Sequence, residues 1–266
     1  MVIYMETKFV NKVAIVTGGA LGIGRCLTRE FAKKGARVAF IDKNKEAGEE
    51  NVKFIKELGA DAFFFCGDIA EEKVLKEFAQ QVVEHFGKVD FLINNACISK
   101  KGILKPCSYD DFNYVLTVGV TAPYYLTYLF LPHFSSCASV VNIASTRAFM
   151  SQPNTESYTS AKGGIVALTH AMAISLSGRV RVNSVAPGWI DTGKYYDEGY
   201  VPNHSKADLI QHPSRRIGDP MDIARAVFFL CDPENSFVNG ENITVDGGMT
   251  KLMVYTGDEG WTLNVD

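Results

Sequence analysis

The chain has no CxxC pair, no Gly/Ser-rich stretch, no apolar run of evident membrane-spanning length and almost no charge imbalance. Each absence removes a class of protein. Its six cysteines, at positions 26, 66, 97, 107, 137 and 231, are too scattered for a zinc or thiol-exchange motif and read as buried thiols, so no metal is expected. Lys plus Arg total 27 against 30 for Asp plus Glu, a net charge of −3, which argues against nucleic-acid or membrane-surface binding through bulk positive charge. The most apolar stretch, 122–131, contains Pro123 and Thr127 and falls short of the ~20 residues a spanning helix needs. Residues 1–10 carry Glu6 and Lys8 and lack the apolar core of a secretory signal, so a cytoplasmic protein is expected.

What remains is a chain of 266 residues, 47% hydrophobic, with 23 glycines suited to tight turns. That is enough for one large domain with a sizeable core. Short apolar runs at 13–16, 37–41, 62–66, 91–93, 139–143, 180–185 and 242–245 read as strands. Several lack polar alternation, as strands covered on both faces do. Helical patterns fall between them, at 22–34, 45–58, 71–86, 109–131, 158–177 and 220–230. Within 71–86, Val74, Leu75, Phe78, Val82 and Phe86 make one apolar stripe. The alternation predicts a single α/β domain spanning 1–266: a doubly wound, parallel seven-stranded sheet with helices on both faces. The interval 190–216 breaks the rhythm after a strand end, and is expected to be a substrate loop or lid.

Directly after the first strand comes Thr17-Gly18-Gly19-Ala20-Leu21-Gly22-Ile23-Gly24, and a helix opens there. Glycines let a backbone approach a pyrophosphate, which the N–H groups of a helix start then bind. Asp42, at the end of the second strand, is placed to accept from adenosine ribose hydroxyls and to repel a 2′-phosphate. NAD is therefore expected over NADP, with the basic neighbour Lys43 as a partial offset.

Strand five ends in Asn142-Ile143-Ala144-Ser145, which puts Ser145 at the carboxyl edge of the sheet, where such folds bind ligands. Further on, Tyr158 and Lys162 stand four apart and share a helix face. A phenol titrates near pH ~10, so a neighbouring cation is needed before it serves as a base at neutral pH. Ser145 would hold a substrate oxygen, Tyr158 would move the proton, and Lys162 would supply the charge.

On these residues the chain resembles a short-chain dehydrogenase/reductase of the ordinary, single Rossmann-domain kind, over essentially its whole length. The matching signatures are the TGxxxGxG turn at 17–24, Asp68 after strand three and Asn94-Asn95-Ala96 after strand four. They continue with Ser145, the YxxxK pair, Pro187-Gly188 with Ile190 and Thr192, and Val245-Asp246-Gly247-Gly248. The resemblance implies a cofactor site of Gly18, Leu21, Gly22, Ile23, Gly24, Asp42, Lys43, Asp68, Ile69, Asn94, Ala96, Tyr158, Lys162, Pro187, Gly188, Ile190 and Thr192. Within it, Asp68 and Ile69 would border the adenine and Lys162 would also hold the nicotinamide ribose. Ser145, Tyr158 and Lys162 would be catalytic. The implied activity is NAD-dependent interconversion of a secondary alcohol and its ketone, by a homotetramer or homodimer.

Two departures from the family pattern stand out. Cys97 replaces the usual Gly after Asn-Asn-Ala, and Gly119 occupies the place of a catalytic Asn that helps to seat a water beside the lysine. The base, its activator and the oxyanion donor are all present, so activity is still expected. By family position, 99–104, 148–155, Trp189 and 190–216 line the substrate side. Phe149, Met150, Trp189, Tyr195, Tyr196 and Tyr200 offer it apolar area, and Arg147 a charge. His204 and His212 read as surface residues more readily than substrate contacts. The tail 249–266, with Trp261, is expected to dock over a cleft. Two other functions share these motifs. An NADPH-using 3-oxoacyl-carrier-protein reductase is disfavoured by Asp42 and Leu21, and a catalytically idle NAD-binding regulator by the intact catalytic residues.

Overall fold

Every residue of β1 (Val13–Thr17) is buried, as a strand covered on both faces must be. The computed structural model describes residues 7–253 and Tyr255. β1 pairs in parallel with β2 (Arg37–Asp42) on one side and β4 (Val89–Asn94) on the other. With β3 (Ala62–Cys66), β5 (Phe134–Ile143), β6 (Arg181–Pro187) and β7 (Asn242–Val245), they form one seven-stranded sheet, in the order β3-β2-β1-β4-β5-β6-β7. All pairings are parallel.

Alternate residues of β1 feed two cores. Ala14 and Val16 join Leu27 and Phe31 of α1 (Gly22–Lys33), Ile55 of α2 (Lys45–Glu57) and Ile223 and Val227 of α8 (Pro220–Cys231). Val13 and Ile15 face the opposite layer. That layer holds Leu75, Phe78 and Val82 of α3 (Glu72–Phe86), Leu126 and Phe130 of α5 (Ala122–Phe130), and Met172 of α6 (Glu156–Ser175). The strand order reverses between β1 and β4, and the crevice beyond their carboxyl ends is where such sheets bind ligands.

The expected helix at 109–131 is one run with an interruption. It is built of α4 (Tyr109–Leu116), a π-helical turn Thr117–Thr121 and α5, and Gly119 lies buried in the middle of that turn. A wide turn there matches the tight fit on α6, because a Cβ on Gly119 would stand 2.8 Å from the Ala161 Cβ. The run Tyr109–His133 is also long and apolar enough to cross a membrane by length and composition, with mean hydropathy 1.3, a correction to the estimate from 122–131 alone. In this fold it packs as a core helix against α3 and α6. β5 begins five residues before the expected 139, where Phe134 pairs with Val89 across a register shift. α6 starts at Glu156, so Tyr158 sits in its first turn.

After β6, a single parallel bridge joins Ile190 to Gly218, with the Gly218 N–H donating to the Trp189 carbonyl at 3.1 Å. The segment between them, including α7 (Lys206–Ile210), thus closes on itself above the sheet edge.

Candidate active site

The glycine turn is locked to the end of β4 before α1 begins. Thr17 Oγ1 accepts from the N–H groups of Asn95 and Ala96, both at 3.0 Å, and Asn95 Nδ2 donates back to the carbonyls of Thr17 at 3.0 Å and Gly18 at 3.2 Å. Gly18 turns with φ +64°, and a Cβ on Gly24 would collide with the Gly18 carbonyl. The turn therefore requires glycine on steric grounds. α1 then opens at Gly22 with no side-chain cap and no acidic residue in its first turn. Its first N–H groups are left to an outside acceptor, the donor set an anion requires.

A cavity of about 500 Å³ lies over this helix start. Of the residues that the sequence nominated, it brings together Gly18, Leu21, Gly22, Ile23, Asp42, Lys43, Asp68, Ile69, Ala96 and Thr192. The half-buried Asp42 carboxylate accepts from the N–H of Ala20 and of Asn44, both at 3.0 Å. Lys43 is tied down: its Nζ lies 2.8 Å from Asp68 Oδ2 and 3.0 Å from the Tyr114 hydroxyl, which itself donates to Asp68 at 2.8 Å. Burial opposes the Asp68 charge, but Lys43, the Ala70 N–H and Tyr114 together hold its carboxyl below the usual range.

Seven nominated residues do not line this cavity, Tyr158 and Lys162 among them. Gly24 supports the turn from behind. Asn94, 4% exposed, points into the protein, where its Nδ2 donates to Asn142 Oδ1 at 2.8 Å. Asn142 in turn donates to Thr169 at 2.9 Å. Pro187 ends buried β6, and Gly188 borders a second cavity together with Ile190. Asn95, Tyr114, Val118 and Tyr196 line the first cavity and were not nominated for it. Asn95 was legible inside the Asn-Asn-Ala motif; the isolated tyrosines carry no motif.

The second cavity, about 760 Å³, is lined by Ser145 and Tyr158 among others. Ser145 caps the following turn, its Oγ accepting from the Arg147 N–H at 3.1 Å. The Tyr158 phenol shares this cavity with Ser145, and the Cys97 thiol at the wall of the first cavity is near enough to act on it electrostatically. Lys162, 3% exposed, stands with Nζ 5.5 Å from the Tyr158 ring centroid and donates to the Ile143 carbonyl at 2.6 Å. Burial drives the Tyr158 pKa well above its ordinary value, and Cys97 adds to this; Ser145 and Arg147 pull the other way. One cation that opposes burial here is Arg147, two residues beyond Ser145.

The substrate side differs from its aromatic expectation. Met150 and Trp189 line the second cavity, whereas Phe149 is 61% exposed, Tyr195 packs into the α1 core, and Tyr196 lines the first cavity. Tyr200 donates to Asp191 at 3.0 Å. The histidines are not surface residues either. His204 Nε2 lies 2.8 Å from Asp191 Oδ2, and His212 is 1% exposed, with its Nδ1 3.1 Å from the Asp208 carbonyl. Both rings approach Trp189, so the loop folds its polar groups inward. Among the described residues, no group of three or more His, Cys, Asp and Glu gathers as a metal site. Trp261 and most of the tail lie outside the described residues; Met253 and Tyr255 are exposed.

With this geometry in place, the comparisons with known proteins are informative. A family model described as enoyl-(acyl carrier protein) reductase matches residues 18–250. An uncharacterized oxidoreductase of Thermotoga maritima is 40% identical over 251 residues, covering 92% of this chain and 98% of the relative. The 3-oxoacyl-[acyl-carrier-protein] reductase of Chlamydia pneumoniae is 32% identical, over 92% of this chain and 100% of its own. Among solved structures, an apo SCOR enzyme from Clostridium thermocellum is 42% identical, with a TM-score of 0.85, over 96% of this chain and 99% of that one. The chain belongs to the short-chain dehydrogenase/reductase family and is an oxidoreductase of that family, acting on small molecules with a nicotinamide cofactor.

Proposed function

We propose that the protein is an NAD-dependent dehydrogenase that interconverts a secondary alcohol and its ketone. The observation that carries this reading is the convergence of Ser145 and Tyr158 on one cavity, with Lys162 Nζ 5.5 Å from the phenol ring centroid and the first cavity alongside at Cys97. Gly18, Gly22, Ile23 and Thr192 would hold the dinucleotide, with Asp68 and Ile69 at the adenine. Asn94, Pro187, Gly188 and Ile190 support that end of the site from the sheet edge. The bound cofactor supplies the acceptor or donor of a hydride.

The protein's own part is acid–base chemistry and positioning. Ser145, pinned by the Arg147 N–H, presents a hydroxyl to the substrate oxygen, and Tyr158 accepts or returns the proton of that oxygen. Lys162, anchored on the Ile143 carbonyl, keeps a positive charge beneath the phenol ring. It favours the ionised form at the moment the proton leaves.

Support for NAD comes from the first cavity. Asp42 presents a carboxylate there, while the charge of its basic neighbour Lys43 is already matched by Asp68. A 2′-phosphate would meet the carboxylate without a free cation beside it. The second reading, an NADPH-dependent 3-oxoacyl-carrier-protein reductase, is favoured by the likeness to the Chlamydia pneumoniae reductase. Titrating the protein with NADH and with NADPH separates the two, and tighter NADPH binding would overturn the first. An idle regulator is separated by Tyr158→Phe, which abolishes turnover in an enzyme while NAD binding persists. A homotetramer or homodimer fits the exposed aromatic face of α5, at Tyr124 and Tyr128.

A further inference from the structure

The substrate-side cavity combines apolar side chains (Met150, Trp189, Ile190 and Met249) with hydrogen-bonding ones, and its charge has one sign. Neutral hydrogen-bonding side chains line it, namely Ser99, Ser151, Gln152 and Gln211 beside the catalytic hydroxyls. Among the described lining residues, Arg147 is the sole charged side chain. Its guanidinium donates to a neutral partner, the Gln152 side-chain carbonyl, and no carboxylate among the described residues pairs with it. A guanidinium fork offers five N–H donors, and one bond to an amide leaves the others without a protein partner among the described residues.

The position of this cation is fixed by the catalytic machinery. Arg147 lies two residues beyond Ser145, and its backbone N–H is held by the Ser145 hydroxyl. Its charge is felt at the Tyr158 phenol. A fully neutral substrate would leave that charge unmatched in a confined cleft once water is displaced. A substrate carrying an oxyanion would neutralise it through charge-assisted, bidentate bonds, while the serines and glutamines satisfy its hydroxyls.

We propose that Arg147 is a specificity-determining residue that recognises an anionic group, a carboxylate or a phosphate, on a compact hydroxylated substrate, with Gln152 positioning the guanidinium. This rests on the dehydrogenase reading for the identity of the reacting alcohol, but the anion site itself is independent of turnover. The substrate class is therefore a hydroxy acid or a hydroxyalkyl phosphate, in preference to an uncharged ring or chain alcohol.

The test has a binding arm and a kinetic arm. In the first, the NADH-loaded protein is titrated calorimetrically with malonate and, separately, with inorganic phosphate. At least one should bind the wild type, with affinity about tenfold to hundredfold weaker in Arg147→Met and partly restored in Arg147→Lys. Whichever anion binds identifies carboxylate or phosphate as the group read. If neither binds, or if binding survives Arg147→Met unchanged, the proposal is wrong. NADH binding by the variants reports on their folding, and Arg147→Gln serves where Arg147→Met does not fold.

In the kinetic arm, hydroxy acids are compared with their own amides. The ratio of kcat/KM, acid over amide, should fall about tenfold to hundredfold in Arg147→Met. An unchanged ratio overturns the proposal. A wild type that oxidises no alcohol, charged or neutral, overturns the dehydrogenase reading instead, and the calorimetry still decides the role of Arg147.

Discussion

The two cavities of this molecule are built by different means. The cofactor-side cavity is made chiefly of backbone: a glycine turn fixed by Thr17 and Asn95, the start of α1, and strand ends whose register the sheet dictates. The substrate-side cavity is made of side chains carried on loops, from Ser99 through Gln152 to Gln211 and Met249. Backbone geometry tolerates few sequences, so it leaves a signature. Side chains on loops tolerate many, so they leave almost none. On the proposed reading, the first cavity takes the cofactor and the second takes the substrate.

The sharpest test falls where the cavities meet. Tyr158→Phe keeps the ring and its packing but removes the group that moves the proton, and kcat should fall about 10³-fold or more while NAD affinity holds within about twofold. Steady-state kinetics with fluorescence titration of NADH would check both halves. A loss of NADH binding in parallel would show that the two cavities are not separable at this residue.

Next in size is the cofactor side alone. Asp42→Asn removes the charge facing a 2′-phosphate, and the preference for NAD over NADP should fall roughly tenfold to hundredfold, read as a ratio of dissociation constants. The same substitution should leave the acid-over-amide ratio of the substrate side unchanged.

Smaller effects are expected behind the site. Gly119→Asn would restore the residue usual in the family, but its side chain must displace Ala161 on the helix that also carries Tyr158 and Lys162. We expect a loss of about 1–3 kcal/mol, seen as a melting temperature lowered by several degrees, with no gain in turnover. A rise in kcat with unchanged stability would mean that α6 yields more easily than its packing suggests.

The smallest effect concerns the substrate loop. Burial works against the Asp191 charge, yet hydrogen bonds from the Gly193 N–H, the Tyr200 hydroxyl and His204 hold its carboxyl below the ordinary range. A group depressed in this way stabilises the folded loop fully above its unfolded value, ~3.9, and loses that contribution as pH falls through the lower folded value. Substrate KM should thus not vary through Asp191 between pH 5 and 8, and should rise only in more acid solution. Asp191→Asn should raise KM a few-fold with NADH affinity intact.

The same division explains what could be read from the sequence. Strand–helix alternation predicted the sheet and its two covered faces, the glycine turn and Asp42 pointed to one end of the first cavity, and the family resemblance brought its nominated lining residues to ten. Asn94 was misplaced because a motif fixes where a backbone goes and not where an amide points: the neighbouring Asn142 turns it inward. Tyr114 escaped notice and Tyr196 was assigned to the substrate side, because a single aromatic residue has no period and no partner in sequence. The burial of His212 depends on a loop folding back under Trp189, which no local pattern announces. The π-helical turn around Gly119 was likewise hidden, since it keeps the apolar rhythm of an ordinary helix while widening one turn of it.

The short bridge between Ile190 and Gly218 has a consequence for how such a chain diversifies. Because the excursion above β6 leaves and returns at adjacent points, its contents can be lengthened, shortened or exchanged without altering the strands that flank it. Selection for a new substrate can act on the part of that excursion beyond Tyr196 as a cassette, while Thr192 and Tyr196 stay with the first cavity that they line.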